Sequence, residues 1–460
     1  MVGSGVPNTA LREALAQVGI SYGQLARAVR IVAAEAGDSL ATNKSAVAHW
    51  IVGGQPKPQT AMFVVEAVSR LAGRRVTRAE LGLASPAYGA GLAPGLGLSF
   101  EDDPVAVLRE LGEGDIQRRT FLTSAVYSVA AAALPLGPRQ AADYQRRVAA
   151  VGRHAGGAEI EAVRDMTTMF TAIDERHGGQ HGRAAVVQYL TSDVTRLCRA
   201  SFAGQADKAA MLSAAAEVAY LCGWKANDAG EHGLAQRYYL QGFALTKEAG
   251  DDLHQAFILR IMAHNGMDLR RPEATLDLAE TALRGVRGRV DPSAEAIFSV
   301  TLARALAHAG RPQDAVGQLR QAQDLVLRGD EQALPHWAGL WGSARACVNS
   351  HTAKTLNRIG DHAAAERYYG AAARARRNPD QHRITGLDLA GQGGEQAAQG
   401  HIEQACATWG RALTVLDGVR SARAAKAVQG MRRSVRPVMR RGARPAADLD
   451  ERARCWLAST

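Results

Sequence analysis

The sequence predicts an all-α chain of 460 residues, with a small amino-terminal helical domain followed by a long array of helical hairpins. Three observations lead there. The composition is 47% apolar but only 5% aromatic, with alanine the leading apolar residue, which favours helices packed closely through small side chains. Distant stretches repeat one another: "GEHGLAQRYY" from Gly230 and "GDHAAAERYY" from Gly360 agree at six of ten positions. Residues 11–83 carry helix start and stop signals in a different rhythm from the rest. A chain of this length exceeds what one core organises, so at least two domains or an elongated array are expected.

The amino-terminal elements come first. "SYGQLARAVRIVAAEAG" opens with Ser21 as a helix cap, places Leu25, Ala26, Val29 and Val32 on one face, and ends at Gly37. "TNKSAVAHWIVGGQPKP" has Thr42 as candidate cap, turns Val47, Trp50 and Ile51 inward, and stops at Gly53-Gly54 before Pro56. A further helix is expected from Thr60 to Leu71.

The "QLA" of the first segment, followed by Ser45, Val47, Trp50, Gly53 and Pro56 of the second, resembles the phage-repressor-like helix-turn-helix. The gap from Ala26 to Trp50 is about ten residues longer than that compact form, so the resemblance implies an extended brace helix or turn. It also implies that Lys44, Ser45 and His49 face base edges and that Ser21, Tyr22, Asn43 and Lys57 contact phosphates of double-stranded DNA. Nine basic residues against five acids give residues 11–83 a balance of +4, which suits phosphate contact.

Residues 84–100, "ASPAYGAGLAPGLGLSF", hold no charge and read as a flexible Gly/Ala/Pro linker between domain 1–83 and connecting helices over 101–150. "RRTFLTSAVYSVAAAALPL" from Arg118 looks like a twin-arginine export signal. It stands behind a whole domain and its apolar run ends by Pro138, so a buried connecting helix is expected.

Residues 151–460 carry the repeat. Aligned on Ala235, Ala315, Ala365 and Ala405, each copy has Gly five residues before and a small residue twelve before. Each also has a bulky residue four after (Tyr239, Leu319, Tyr369, Trp409) and a small one seven after. Two helices explain the spacing: a close crossing point on the first, a glycine turn, then a small and a bulky residue one turn apart on the second. A degraded copy centres on Ala274, with Met262 and Leu269 replacing the expected small residue and Gly, and a weaker one on Ala185.

This pattern resembles long-period tetratricopeptide repeats. The resemblance implies a right-handed α-solenoid whose groove takes a peptide or protein. Tyr239, Tyr369 and Trp409 are expected in its core, while Arg237, Tyr238, Arg367 and Tyr368 are the candidate wall residues for an effector. From Arg420 to Arg444 eight arginines and Lys426 face no acid, which places +9 of the net +10 in this stretch. It is expected to form a terminal helix pair with a solvated basic face.

Enzymatic motifs are missing: there is no phosphate-binding loop, nucleophile elbow or H-E-x-x-H, so no catalytic residue, cofactor or metal is expected. The five cysteines lie far apart without ligand spacing, which fits a reduced, cytoplasmic protein, and no membrane span is apparent. The whole arrangement resembles actinobacterial regulators of development and secondary metabolism. By that resemblance the partners are double-stranded DNA, a peptide or protein ligand of the repeats, and a second copy in a homodimer. The alternative is a repeat scaffold whose amino-terminal module does not bind DNA.

Overall fold

A computed structural model describes residues 6–35, 40–74, 76–83, 97–98, 102–116, 154–269, 272–340, 342–376, 378, 380–439 and 443–459. They are almost entirely helical. The one sheet among them is a two-residue parallel pairing of β1 (His154–Ala155) with β2 (Ser201–Phe202). The Arg118 segment lies outside the described residues, as do Gly37, most of the 84–100 stretch, and Arg440 and Arg441 of the basic run.

Four helices build the amino-terminal domain: α1 (Thr9–Val18), α2 (Tyr22–Glu35), α3 (Lys44–Ile51) and α4 (Pro58–Ala72). Their inward faces form a separate core that includes Leu25, Val29, Val47, Trp50 and Phe63 and closes on Val76, Leu81 and Leu83. Ser21 caps α2 reciprocally: its hydroxyl accepts from the Gln24 N–H and the Gln24 side chain accepts from the Ser21 N–H. The cap of α3 is Asn43, whose side chain accepts from the Ala46 N–H at 3.0 Å, and not Thr42. Thr42 is buried, and its carbonyl accepts from Arg30 at 2.6 Å, which fixes the entry of the chain into α3. Asn8 begins the domain earlier than the sequence predicts. It caps α1, bonds the Ile51 carbonyl through its backbone, and donates to the Leu81 and Gly82 carbonyls.

Past α5 (Pro104–Ile116) the array begins with α6 (Gly157–His177), followed by α7 (Arg183–Tyr189), a π-helical turn (Leu190–Val194) and α8 (Thr195–Cys198). Six hairpins then follow in order: α9 (Gln205–Asp228) with α10 (His232–Ala249), α11 (Asp252–Asp268) with α12 (Pro272–Val286), and α13 (Pro292–His308) with α14 (Pro312–Arg328). A short helix α15 (His336–Gly339) precedes α16 (Ala344–Ile359) with α17 (His362–Ala375), α18 (His382–Ala398) with α19 (Ile402–Val415), and α20 (Ala422–Met439) with α21 (Arg444–Ser459).

The repeat frame matches this architecture. Ala235, Ala315, Ala365 and Ala405 are all fully buried. Gly230, Gly310, Gly360 and Gly400 each turn the chain at positive φ, between 76° and 90°. The bulky residue four after the anchor covers the small residue on the first helix: a side chain on Gly223 would meet the Tyr239 ring at 2.5 Å, and one on Gly393 the Trp409 ring at 2.6 Å.

The degraded copy is better than its sequence looks. Its fully buried anchor is Thr275, one residue after Ala274, with Ala263, Ala279 and Ala282 buried in register, so the spacing from 235 through 275 to 315 is regular. At the earliest copy Ala185 is exposed, and Val186, Val187 and Leu190 are buried instead.

Because Ala365 has no room around it, Ala365→Leu is expected to cost about 1 to 3 kcal/mol by overpacking. Ala373 is half-buried against the last core cluster and is no control for this change, whereas exposed Ala363 on the same helix is one. Urea unfolding of the two leucine variants checks this: a loss at Ala365 and none at Ala363 supports the frame.

The array returns on itself. Helix α18 packs against α6, five hairpins earlier in the chain, and the Arg420 backbone exchanges hydrogen bonds with His177 and Gln180. At this junction Arg383 of α18 is buried among carboxylates of two other helices, Asp174 at 2.6 Å, Glu175, and Asp228 at 3.4 Å. Lys225 adds a bond to Asp174 at 3.1 Å, and the Ser421 hydroxyl donates to Asp228 at 2.9 Å. A buried charge is tolerated only with partners of this kind.

Candidate functional sites

Two regions collect groups able to do chemistry. The first is the outer face of α3. Val47, Trp50 and Ile51 point into the core, so helical geometry turns Lys44, Ser45 and His49 outward, and all three are exposed. Ser45 and His49 are one turn apart. The His49 ring lies over Gly54, where any side chain would collide with it, so the Gly53-Gly54 stop also seats the imidazole. Lys57 is exposed at the start of α4. Asn43 is exposed, but its side-chain oxygen is spent on the cap, and the Ser21 hydroxyl is engaged by Gln24. Tyr22 is half-buried against the core. Lys44, Ser45, His49 and Lys57 therefore remain as groups available to a ligand.

The candidate wall residues of the repeats divide. Arg237 and Tyr238 are buried, contrary to expectation, because the chain's own connector covers α10. The Tyr238 hydroxyl donates to Asp115 of α5 at 3.1 Å, and the Gly97 carbonyl accepts from Gln241 at 3.1 Å while its Cα faces the Arg237 stem. The carboxyl end of the uncharged 84–100 stretch is thus anchored on the array. Arg183 completes the contact, with its guanidinium 2.8 Å from Asp115 and 2.6 Å from Glu231. Burial alone would lower the Arg183 pKa, but the two carboxylates more than offset it and hold the guanidinium charged. Arg367 is exposed and Tyr368 half-buried on α17, away from this contact.

The second region was not foreseen from sequence. First helices of successive hairpins surround a chamber of about 130 Å³. Its apolar wall includes Tyr220, Phe257, Ile261, Ile297 and Ile384. Five cations also line it, Arg260, Arg304, Lys354, Arg376 and Arg423, with Asp268 the one carboxylate among the described lining residues.

Two of these cations have acid partners, Arg376 with Asp388 at 2.9 Å and Arg304 with Asp268 at 3.7 Å. Among the described residues Arg260, 5% exposed, donates only to the Ile297 carbonyl and towards the Cys347 sulfur. Arg423 lies 5.3 Å from the Trp224 ring, and Lys354 has no hydrogen-bond or ion-pair partner among the described residues. His264 and His351 stack at 4.6 Å between them. Burial and the neighbouring cations push both well below the ordinary histidine range, so they are neutral hydrogen-bonding groups.

The signal that could have exposed the chamber is the repeat interval. From Ala315 to Ala365 it is 50 residues against 40 elsewhere, and the ten extra residues hold α15. This insertion brings Leu334 and Ala338 to the chamber and stacks Trp337 on His254 at 5.8 Å. His336 pins it to Glu217, whose hydrogen bond raises the His336 pKa.

The five cysteines are free, three of them buried. Among the described residues no three His, Cys, Asp or Glu converge on a metal position, and no helix is long and apolar enough to cross a membrane. Residues 11–84 match the SP15 N-terminal domain family, a span that coincides with the amino-terminal core. No curated protein is significantly similar to the chain.

Proposed function

We propose that this chain is a cytoplasmic DNA-binding transcriptional regulator of the kind that controls development or secondary metabolism. Its amino-terminal domain is a helix-turn-helix in which α2 braces α3. The rest is a right-handed solenoid of tetratricopeptide-like hairpins that binds an effector, a peptide or protein, or a second copy of the chain. The single observation that carries the DNA reading is the division of α3, with its aromatic and branched side chains inward and Lys44, Ser45 and His49 presented to solvent. A lysine donates to guanine O6 or N7, and a hydroxyl or imidazole reads several base edges. Lys57, outside that helix, is placed for a phosphate.

The test is capture of fragmented genomic DNA by the full chain and by the Lys44→Ala/His49→Ala variant. The wild type is expected to enrich a small set of fragments that the variant does not, at about 1 to 3 kcal/mol per lost base contact. Lys57→Ala is expected to weaken all duplexes alike. Equal enrichment by wild type and double variant would leave the scaffold reading in its place.

A further inference from the structure

We propose that the chamber between the first helices of the array is a binding site for a small organic anion. The ligand class is a carboxylate, phosphate or sulfonate head on an apolar body of about one ring, held by Arg260, Lys354 and Arg423. The inference stands independently of whether the amino-terminal domain reads DNA.

Charge comes first. Desolvating a cation is costly unless a counter-charge repays it. Elsewhere in this array the rule is obeyed, with Arg183, Lys225 and Arg383 each meeting one or more carboxylates. Around the chamber it is not met: buried Arg260 and half-buried Lys354 and Arg423 converge from α11, α16 and α20, none of them in an ion pair among the described residues, and the one lining carboxylate, Asp268, is paired with Arg304. Three such groups from three separate hairpins, aimed at one cavity, are a counter-charge short.

The wall fixes the rest of the ligand. A cavity of about 150 Å³ holds one benzene ring, so the space here suits a ring-sized body. Tyr220, Phe257, Ile261 and Ile297 supply the apolar side. His264 and His351 complete a neutral polar edge: Arg304 donates to Nδ1 of both, at 3.2 and 3.5 Å. The His264 Nε2–H then faces the Thr301 hydroxyl at 3.1 Å. Leu334 and Ala338 of the inserted segment line the chamber as well, and Arg423 stands two residues from the Ser421–Asp228 bond that joins the array's ends. An anion there ties α20 to α11 and α16 and strengthens the closed form.

Protonation gives an independent check. Burial, then Arg304, Arg423 and Arg376 against the pull of Asp388, hold the Lys354 ammonium down to about 7; Arg260, Asp268 and the neutral His264 and His351 complete its surroundings. A bound anion favours the charged lysine, so affinity is full below about pH 7 and declines above it.

Benzenesulfonate, whose charge is constant through this range, is the probe, with methyl phenyl sulfone as its neutral counterpart. Titration calorimetry on the full chain is expected to give one site for the sulfonate, weaker at pH 8.5 than at 5.5 (about 1.5 units either side of the Lys354 value), and none for the sulfone. Lys354→Met is expected to weaken sulfonate binding by about tenfold or more, the usual worth of a charged hydrogen bond. The same change should raise the thermal midpoint of the ligand-free protein, since it removes an uncompensated cation; a merely structural lysine would lower it. Arg423→Met provides a second variant on a different helix with the same expected loss of binding. Equal binding of sulfone and sulfonate, no sulfonate site, or unaltered affinity in both variants would overturn the proposal.

Discussion

Arg383→Met is expected to cost the protein about 3 to 5 kcal/mol, the usual loss when one member of a buried charge network is removed. The arginine is 1% exposed and stands among Asp174, Glu175 and Asp228, with Trp224 5.8 Å from its guanidinium. Methionine fills much of the volume but leaves three buried carboxylates with Lys225 alone to answer them. The expected result is a large fall in the urea midpoint and loosening of the α6–α18 junction, seen as faster amide exchange near Gly178 and Arg420. Arg176→Ala, which breaks an exposed 3.5 Å pair with Asp380, is the control and should cost at most about 1 kcal/mol. Equal small losses in both variants would mean that the junction does not hold the array closed.

Asp115→Ala is expected to cost a similar amount, about 3 to 5 kcal/mol. Asp115 accepts from both Arg183 and Tyr238 and is itself buried, so its removal strands an arginine 2% exposed with Glu231 as its one acid partner among the described residues. The consequence reaches beyond stability, because α5 is the last described element before the array and sits in the chain between the two candidate regions. Its approach depends on Gly112, which leaves no space for a side chain against Thr191 of the π-helical turn. Asp115→Ala is expected to make the connector sensitive to limited proteolysis while the amino-terminal core stays protected. Breaking the exposed Arg109–Glu113 pair on the same helix should do neither.

Much of this architecture was legible because its determinants are local. The Ser21 cap and the Gly53-Gly54 stop are decided within a turn of backbone, whereas the cap of α3 fell on Asn43, one residue past the expected Thr42; a helix that must bury Val47, Trp50 and Ile51 has little choice about where Lys44 and His49 point. The hairpin frame was legible for the same reason, since a small residue under a bulky one is a spacing rule. It slipped by one at Thr275 because threonine can fill a small buried position that the eye reserves for alanine.

What local spacing cannot give is which side of a helix a distant segment will cover. Arg237 and Tyr238 read as a wall facing a ligand, yet α5 and Gly97 pack over them. Nor could the chamber be read, since Arg260, Lys354 and Arg423 come from three different helices at positions 94 and 69 residues apart, and each alone looks like a solvated surface charge. Arg423 shows the difference within the basic run: Arg432 pairs with Asp450 at 2.7 Å near the surface, while Arg423 turns inward onto Trp224.

The central claim is that α3 reads DNA sequence, and the most direct measurement is the affinity of full-length protein for a captured genomic fragment and for random duplex of equal length, at several salt concentrations. The account predicts that Lys44→Ala/His49→Ala lowers affinity for the captured fragment much more than for random duplex. Lys57→Ala should lower both alike and reduce the salt slope by about one. Equal loss on both duplexes in the double variant would contradict base reading by this helix.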